Sequence, residues 1–308
     1  MAIYAHTRHF AGTSIANWEP EETVGDPIGT QARIGVSYDD ADGAWLDQLD
    51  ALLSSPAAAE TTALVFGMWS ADGGDSAGIV EALVAGRDRL PKLQAIFIGD
   101  ILYEEQEISW IQQSDVSPLF DAFPKLEHLC IRGANGLSLG ALRHANLRSL
   151  VIQSGGLSRA VVAEVSAGQL PSLEHLELWL GDPNYGGDAT VEDLAPLLAG
   201  GLFPKLRYLG LRDCAFADEL AVAVATAPVL EQIKVLDLSL GVLSDAGAAA
   251  LLASPAVAKL ELLDLHHHYM SDELVERIKA LGIQVDVSDQ QKADINDDEI
   301  NRYVAVSE

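Results

Sequence analysis

The chain has 308 residues, 49% of them hydrophobic, and a formal net charge of −27 from 46 acidic and 19 basic side chains. This excess of negative charge repels phosphate backbones and anionic lipid head groups, so nucleic acids and membrane surfaces are excluded as expected partners. No stretch approaches the roughly 20 consecutive apolar residues of a membrane helix, and the first residues, MAIYAHTRHF, show no signal-peptide pattern. These features predict a cytoplasmic protein.

Residues 1–58 come before any repeated pattern and are predicted to form an N-terminal cap. Within them, ARIGVSY (32–38) alternates like a strand and is followed by the acidic turn DDADG. A cap is needed because a stack of repeats would otherwise leave the end of its hydrophobic core in water.

One six-residue phrase, Leu-x-x-Leu-x-Leu, then recurs along the chain with starts 21–33 residues apart. Its copies are LQAIFI (93–98), LEHLCI (126–131), LRSLVI (147–152), LEHLEL (173–178), LRYLGL (206–211), IKVLDL (233–238) and LELLDL (260–265), with degenerate copies ALVFGM (63–68) and GIQVDV (282–287). This spacing is typical of leucine-rich repeats. It predicts an α/β leucine-rich-repeat solenoid of eight to nine units over residues 59–287, with a curved parallel sheet on the concave side.

Helices are predicted between the strands, on the convex side, because apolar residues there recur every three or four positions. The predicted helices are 43–53, 76–85, 114–122, 158–166, 191–198, 217–226, 245–253 and 272–281. Thr190 and Asp193 have the spacing of a capping box, and Ser271 lies where a helix cap is expected. Residues 288–308 are predicted to be a C-terminal cap or tail that ends in the strand-like RYVAVSE (302–308).

The stretch LSDAGAAALLASPAVAKLELLDL (243–265) resembles ribonuclease-inhibitor-type leucine-rich repeats, in which one strand alternates with one helix. More narrowly, FAG (10–12), LVFGMW (64–69), VDVSDQQ (285–291) and RYVAVSE resemble a family of bacterial cytoplasmic repeat proteins. Genes of that family lie beside genes for radical-SAM, ATP-grasp and sulfatase-like enzymes. The resemblance implies a non-catalytic subunit of a biosynthetic or modification pathway.

The third and fifth residues of each phrase, and the residue directly after the phrase (its seventh place), are predicted to face the concave side, because side chains alternate along a strand. Several of them are aromatic residues or arginines, which dominate binding hot spots in protein interfaces. The predicted contacts for a protein or peptide ligand are Trp69, Phe97, His128, Arg132, His175, Glu177, Trp179, Tyr208 and Arg212.

An enzymatic alternative stays open, either metal-dependent through Asp237, Asp264 and His266 or based on the thiol of Cys130. Within His266–His268, at most His266 and His268 can converge on one ion, since adjacent strand residues point to opposite faces. GLSLG (136–140) matches the Gly-x-Ser-x-Gly motif of serine hydrolases, but Leu137 and Leu139 favour a role in the core. The sequence predicts no cofactor and no metal, and Cys130 and Cys214 lie on separate repeats as expected of reduced thiols.

Overall fold

A computed structural model describes residues 3–18, 30–41, 43–70, 73–296 and 299–308. These residues form two compact units. The N-terminal unit contains the chain up to Gln153 together with Gly168–Pro171, and the C-terminal unit contains Ser154–Ala167 together with Ser172–Ser307.

The N-terminal unit has seven strands that pair in chain order. They are β1 (His9–Phe10), β2 (Thr13–Asn17), β3 (Thr30–Ile34), β4 (Ala63–Phe66), β5 (Ala95–Ile98), β6 (His128–Arg132) and β7 (Ser149–Gln153). Strands β1 and β2 are antiparallel, and every later pair is parallel. The helices of this unit are α1 (Ala44–Ser54), α2 (Ala77–Gly86) and α3 (Pro118–Ala122).

In the C-terminal unit, strands and helices alternate. Its helices are α4 (Arg159–Ser166), α5 (Val191–Leu198), α6 (Ala217–Val224), α7 (Asp245–Ala253) and α8 (Asp272–Lys279). Its parallel strands are β8 (His175–Gly181), β9 (Tyr208–Cys214), β10 (Val235–Asp237), β11 (Leu262–Asp264) and β12 (Gln284–Asp286). A separate antiparallel pair, β13 (Asp294–Asn296) and β14 (Glu299–Asn301), follows.

The leucines of the phrase form the core of each repeat. In LEHLCI, for example, Leu126, Leu129 and Ile131 are at most 1% exposed. Each helix contributes a buried apolar face as well, so strands and helices make two layers around one core. The predicted α/β leucine-rich-repeat solenoid is confirmed, and none of the helices in the described part of the chain is long and apolar enough to span a membrane.

The helix starts were predicted from capping residues and apolar spacing, and most of them are confirmed within one residue. Thr190 and Asp193 form the capping box of α5, and the Ser271 hydroxyl accepts the amide of Leu274 at the start of α8. Helix α3 begins later than predicted, at Pro118, because the residues before it form bridges Gln112↔Asn135 and Asp115↔Ser138 to the next repeat.

The strand predicted at 302–308 is wrong, although part of that segment is buried. The amide of Ala305 donates to the carbonyl oxygen of Leu240, and the amide of Val306 donates to the carboxylate of Asp213. Because these amides bind a turn and a side chain instead of a strand edge, the segment has no sheet partner. It packs against the repeats with Val304, Ala305 and Val306 each at most 9% exposed.

Candidate functional site

We call the side of each sheet faced by the third, fifth and seventh residues of the phrases its strand face. In the N-terminal unit this face carries an apolar row, since Val65, Phe97 and Cys130 are neighbours in register on β4, β5 and β6. Phe10 and Ile15 of the first two strands pack against this row. The rings of Phe10 and Phe97 are 5.8 Å apart. The β1–β2 hairpin therefore covers this part of the strand face.

The expectation that the N-terminal contact residues are exposed is wrong for three of the four. Trp69, Phe97 and Arg132 are 5%, 2% and 5% exposed, and His128 alone is partly exposed. The Trp69 indole donates to the carbonyl oxygen of Gly74 at 2.7 Å. The Arg132 guanidinium lies 5.2 Å from the Phe97 ring centre. No sequence pattern indicated that the β1–β2 hairpin covers Phe97, because the hairpin has no leucine phrase.

The position of the β1–β2 hairpin also argues against the hypothesis that Cys130 is a reactive thiol. Cys130 is 6% exposed and lies in the apolar cluster under Phe10, so a substrate would reach its sulfur only after the hairpin moved away. Cys214 is 1% exposed, and burial raises the pKa of its thiol well above the ordinary value. Neither environment is the electropositive, accessible setting of a reactive cysteine.

Asp100 fastens the first residues of the chain to this unit. Its carboxylate is fully buried, and its two oxygens accept the amide of Thr7 at 3.2 and 3.1 Å. Arg33 Nη1, Arg132 Nη1 and His6 Nδ1 lie 3.4, 3.6 and 3.5 Å from it. Burial works against protonation of His6, but hydrogen bonds to Asp100 and Glu105 raise its pKa to about 9. A cationic cluster thus surrounds Asp100, although no sequence motif marks that residue.

In the C-terminal unit the predicted contact residues come together around Glu177. Its carboxylate accepts hydrogen bonds from Trp179 Nε1 at 2.7 Å, Arg212 Nη1 at 3.0 Å and the Tyr208 hydroxyl at 3.3 Å. Burial opposes ionisation, but the hydrogen bond from His175 and the charge of Arg212 lower the pKa of Glu177 to about 2. Glu177 is therefore an ionised, fully engaged centre that fixes the side chains around it.

Two rings and one guanidinium complete this network. The His175 and Tyr208 rings stack 3.9 Å apart at 10°, and the Arg212 guanidinium lies 5.4 Å from the Trp179 ring centre. The Tyr208 hydroxyl donates to Asp237 at 2.5 Å, while Arg212 Nε lies 3.2 Å from the same carboxylate. Burial raises the pKa of both Tyr208 and Asp237. Trp179 is 6% exposed, whereas the His175 side chain remains 33% exposed, so the stacked pair is the part that a ligand can reach.

A row of acidic residues continues from this network across the strand face. Glu177, Gly210, Asp237, Asp264 and Asp286 are neighbours in register on β8 to β12, all at the fifth place of their phrases. A Cβ atom at Gly210 would lie 3.0 Å from the Tyr208 ring and 3.1 Å from Glu177. Both contacts are tight, so a larger residue would require the Tyr208 ring or the Glu177 side chain to shift.

The outer end of the row holds a group of metal-ligating type. One ligand atom each of Asp264, His266 and Asp286 lies within 4.8 Å of the others, and all three residues are partly exposed. Asp264 accepts His266 Nδ1 at 2.7 Å, and this hydrogen bond raises the pKa of His266. The sequence analysis did not name Asp286 as a candidate ligand, because it lies in the degenerate phrase GIQVDV. Its fifth place in that phrase would have assigned it to the strand face.

His266 and His268, the two histidines that alternation would allow to converge on one ion, do not converge. His268 is fully buried, and its Nε2 contacts the carbonyl oxygen of Val287 at 3.1 Å. Its other ring nitrogen accepts the amide of Met270. His268 thus satisfies backbone groups in a turn.

Asp213 is the C-terminal counterpart of Asp100. It has a left-handed backbone with φ 53°, is fully buried, and accepts the amide of Val306 at 2.9 Å through one carboxylate oxygen. Its other oxygen, Oδ2, has no hydrogen-bond partner among the described residues. Burial raises the pKa of Asp213 well above the ordinary value.

The Gly-x-Ser-x-Gly stretch serves the core, as its leucines indicated. Leu137 and Leu139 are 8% and 0% exposed, and the Ser138 hydroxyl accepts the amide of Gly140. Ser138 lies in a bridge to Asp115, six residues after Arg132, which ends strand β6. It is not at the immediate strand-to-helix turn that a nucleophile elbow requires.

Comparison with solved structures shows a relative of this chain. A protein from Bacteroides fragilis, solved by a structural genomics consortium, is 34% identical, with a TM-score of 0.80 over 86% of this chain and 76% of that one. An internalin from Listeria monocytogenes aligns over 86% of this chain and 79% of its own, but at 13% identity and a TM-score of 0.30, which carries no structural argument. No protein-family model and no curated protein matches the chain.

Proposed function

We propose that this chain, which belongs to the same family as the Bacteroides fragilis protein, is a non-catalytic repeat module that binds a protein or peptide. The proposal places the ligand on the strand face of the C-terminal unit. It rests on one observation, the rigid network in which Glu177, Tyr208 and Arg212 hold one another by hydrogen bonds. Side chains fixed before binding lose little conformational entropy when a ligand arrives, which favours affinity.

Within this network, the stacked rings of His175 and Tyr208 would make the first contact. Aromatic rings that stay partly exposed on a rigid support are the residue type that carries most binding energy in protein interfaces. Glu177, Trp179 and Arg212 lie deeper and would act chiefly by holding the rings in place. The N-terminal part of the proposed contact set is Trp69, Phe97, His128 and Arg132. His128 is already partly exposed, whereas Phe97 would contact a ligand only where the β1–β2 hairpin moved. Trp69 and Arg132 are buried and would need local rearrangement to take part.

The acidic row defines the chemistry of the partner. Glu177, Asp237, Asp264 and Asp286 bring four carboxyl groups to this strand face, and the Arg212 guanidinium contacts two of them. A basic segment of a partner would complement this face, and the net charge of −27 would speed its approach. We therefore propose a partner that presents lysine or arginine side chains.

The setting that we propose for this binding is the bacterial cytoplasm, where the chain would be an accessory subunit of a biosynthetic or modification pathway. This part of the proposal comes from the resemblance of FAG, LVFGMW, VDVSDQQ and RYVAVSE to repeat proteins encoded beside radical-SAM and ATP-grasp enzymes. A binding subunit of such an enzyme needs a surface and no reactive group of its own.

The test is a charge reversal on the row, Asp264→Lys with Asp286→Lys, compared with Glu273→Lys and Glu276→Lys on the exposed side of α8. Both double variants change the net charge equally. We expect the row variant to bind a partner captured from the host cytoplasm at least ~10-fold more weakly, as loss of complementary charge predicts. The α8 variant should bind like the parent. Equal loss in the two variants would show that total charge, and not the strand face, governs binding.

A second candidate function, metal binding, is favoured by the group of Asp264, His266 and Asp286. Carboxylate and imidazole are ordinary ligands of zinc and related ions. If this function is correct, adding Zn²⁺ to chelator-treated protein should raise its melting temperature, since an ion that binds only the folded state stabilises it. His266→Ala should abolish the rise, and Asp245→Ala on α7 should not. An unchanged melting temperature after addition of Zn²⁺ would contradict metal binding.

A further inference from the structure

A cavity of about 390 Å³ lies in the N-terminal unit, among the segments that follow three neighbouring parallel strands. Tyr38 comes after β3, Met68 after β4, and the lining residues between 103 and 110 come after β5. The region beyond the carboxyl ends of parallel strands is where ligands commonly bind in α/β proteins. The volume lies within the roughly 300–1,000 Å³ range of small-molecule sites.

Three aromatic side chains line this cavity and stay exposed. Tyr38, Tyr103 and Trp110 are 62%, 39% and 64% exposed. Tyr4, which is 66% exposed, extends the group, because its ring packs edge-on against Tyr103 with the ring centres 6.1 Å apart. Single exposed rings are ordinary, whereas several on one patch mark a binding surface.

Hydrogen bonds fix the loop that carries two of these rings. The amide of Glu105 donates to the carbonyl oxygen of Leu102 at 2.9 Å. The amide of Trp110 donates to the carbonyl oxygen of Glu107 at 3.0 Å. The Tyr38 hydroxyl donates to the carbonyl oxygen of Glu105, which ties the third ring to the same loop. Walls that are fixed before binding lose little conformational entropy when a ligand arrives.

The charges that line the cavity are negative. Glu104, Glu105 and Glu107 contribute carboxylates, and none of the described lining residues is basic. Glu105 is already engaged, since its carboxylate accepts the amide of Leu102 at 2.8 Å and lies 3.5 Å from His6 Nε2. The carboxylates of Glu104 and Glu107 make no hydrogen bond or ion pair with any residue that the structure describes. Two unpaired negative charges therefore lie beside the exposed rings.

We propose that this cavity binds a small organic cation with a methylated ammonium group, which contacts the aromatic rings while Glu104 and Glu107 balance its charge. The negative face of an aromatic ring attracts a cation within about 6 Å of the ring centre, and tryptophan attracts it most strongly. A methylated ammonium has an apolar outer surface and few or no N–H donors, so it needs rings for contact and carboxylates only for charge. The site lies in the N-terminal unit and does not rest on the protein binding proposed for the C-terminal unit.

The experiment measures choline binding by calorimetry at constant ionic strength, beside an uncharged analogue in which a tert-butyl group replaces the trimethylammonium group. We expect choline to bind saturably and at least ~10-fold more tightly than the analogue, which keeps the shape and loses the charge. Equal affinity for the two would show an apolar surface and contradict a cation site. Saturable binding of glucose without binding of choline would overturn the proposal in favour of a sugar site, since sugars also stack on aromatic rings.

Two substitutions test the rings and the carboxylates separately. Trp110→Ala and Glu107→Gln should each weaken choline binding by about 5-fold or more, the loss expected when a cation–π or charge contact is removed. Tyr303→Ala removes a ring that is 57% exposed from the C-terminal unit, and Glu273→Gln removes an exposed carboxylate from α8. Both controls should bind choline like the parent. Unchanged affinity in Trp110→Ala would contradict the assignment.

A spectroscopic readout separates this cavity from the acidic row of the C-terminal unit. In ¹⁵N-labelled protein, the variants Trp110→Phe and Trp179→Phe assign the two indole N–H signals. Choline should shift the signal of Trp110 and leave that of Trp179 in place. The row variant, Asp264→Lys with Asp286→Lys, should keep the parent's affinity for choline. Lost affinity in the row variant, or a shift of the Trp179 signal alone, would assign the cation to the acidic row and overturn this site.

Discussion

Replacing Asp100 with alanine is expected to lower the free energy of unfolding by about 3–5 kcal/mol, the usual cost of removing one partner from a buried ionic group. The substitution leaves Arg132, which is 5% exposed, without its opposing charge. It also frees the Thr7 amide and removes the carboxylate that faces His6, although His6 keeps its contact with the main-chain oxygen of residue 100. The two contacts by which the Asp100 carboxylate holds the first residues of the chain, those with Thr7 and His6, would be lost together.

The effect is measured by urea unfolding, with Asp88→Ala as the control because the Asp88 side chain is 90% exposed. A second readout is the rate at which Cys130 reacts with a thiol reagent in a Cys214→Ala background. Asp100→Ala should expose Cys130 by loosening the β1–β2 hairpin above it, and the labelling rate should rise. Slow labelling together with a large loss of stability would mean that Asp100 supports the sheet and not the hairpin.

Replacing Asp213 with asparagine is expected to stabilise the protein at pH 8 by about 1–3 kcal/mol, the usual desolvation penalty of a buried polar group, because asparagine cannot carry the charge that burial disfavours. Burial raises the pKa of Asp213 in the folded state above its value in the unfolded chain. At a pH between the two pKa values unfolding releases a proton, so this group lowers stability as pH rises above about 4, by at most ~1.4 kcal/mol per pH unit. Asparagine cannot ionise, still accepts the Val306 amide, and tolerates the left-handed backbone.

The sign of this pH dependence is tested by urea unfolding of the parent and of the Asp213→Asn variant from pH 5 to pH 8. The difference in free energy of unfolding, variant minus parent, should grow with pH, because only the parent carries the ionisable group. Val306→Pro removes the amide that binds Asp213 and should destabilise the parent. A difference that stays constant across this pH range would show that Asp213 titrates at its ordinary pKa.

The fold was predictable from the sequence because its signals are local and repeated. Leu126, Leu129 and Ile131 reveal a strand by their spacing alone, and Thr190 with Asp193 reveals a helix start by capping chemistry. These features depend on residues within a few positions of one another. Helix α3 was predicted too long because bridges to a neighbouring repeat, which no local pattern records, engage the residues before it.

The candidate site was only half predictable, and the reason is long-range contact. Alternation correctly assigned Glu177, Tyr208 and Arg212 to one face of the C-terminal sheet, where they meet. The same rule assigned Phe97 to an open surface, but Phe10, 87 residues earlier in the sequence, covers it.

Both ends of the described chain are fastened in the same manner, by a backbone amide that donates to a fully buried aspartate of a repeat. Thr7 binds Asp100 in the N-terminal unit, and Val306 binds Asp213 in the C-terminal unit. Stacked repeats ordinarily unravel from their terminal units, where each unit has only one neighbour. Under a mechanical load applied through these segments, the amide–carboxylate contacts would carry the tension before any strand could peel from its sheet.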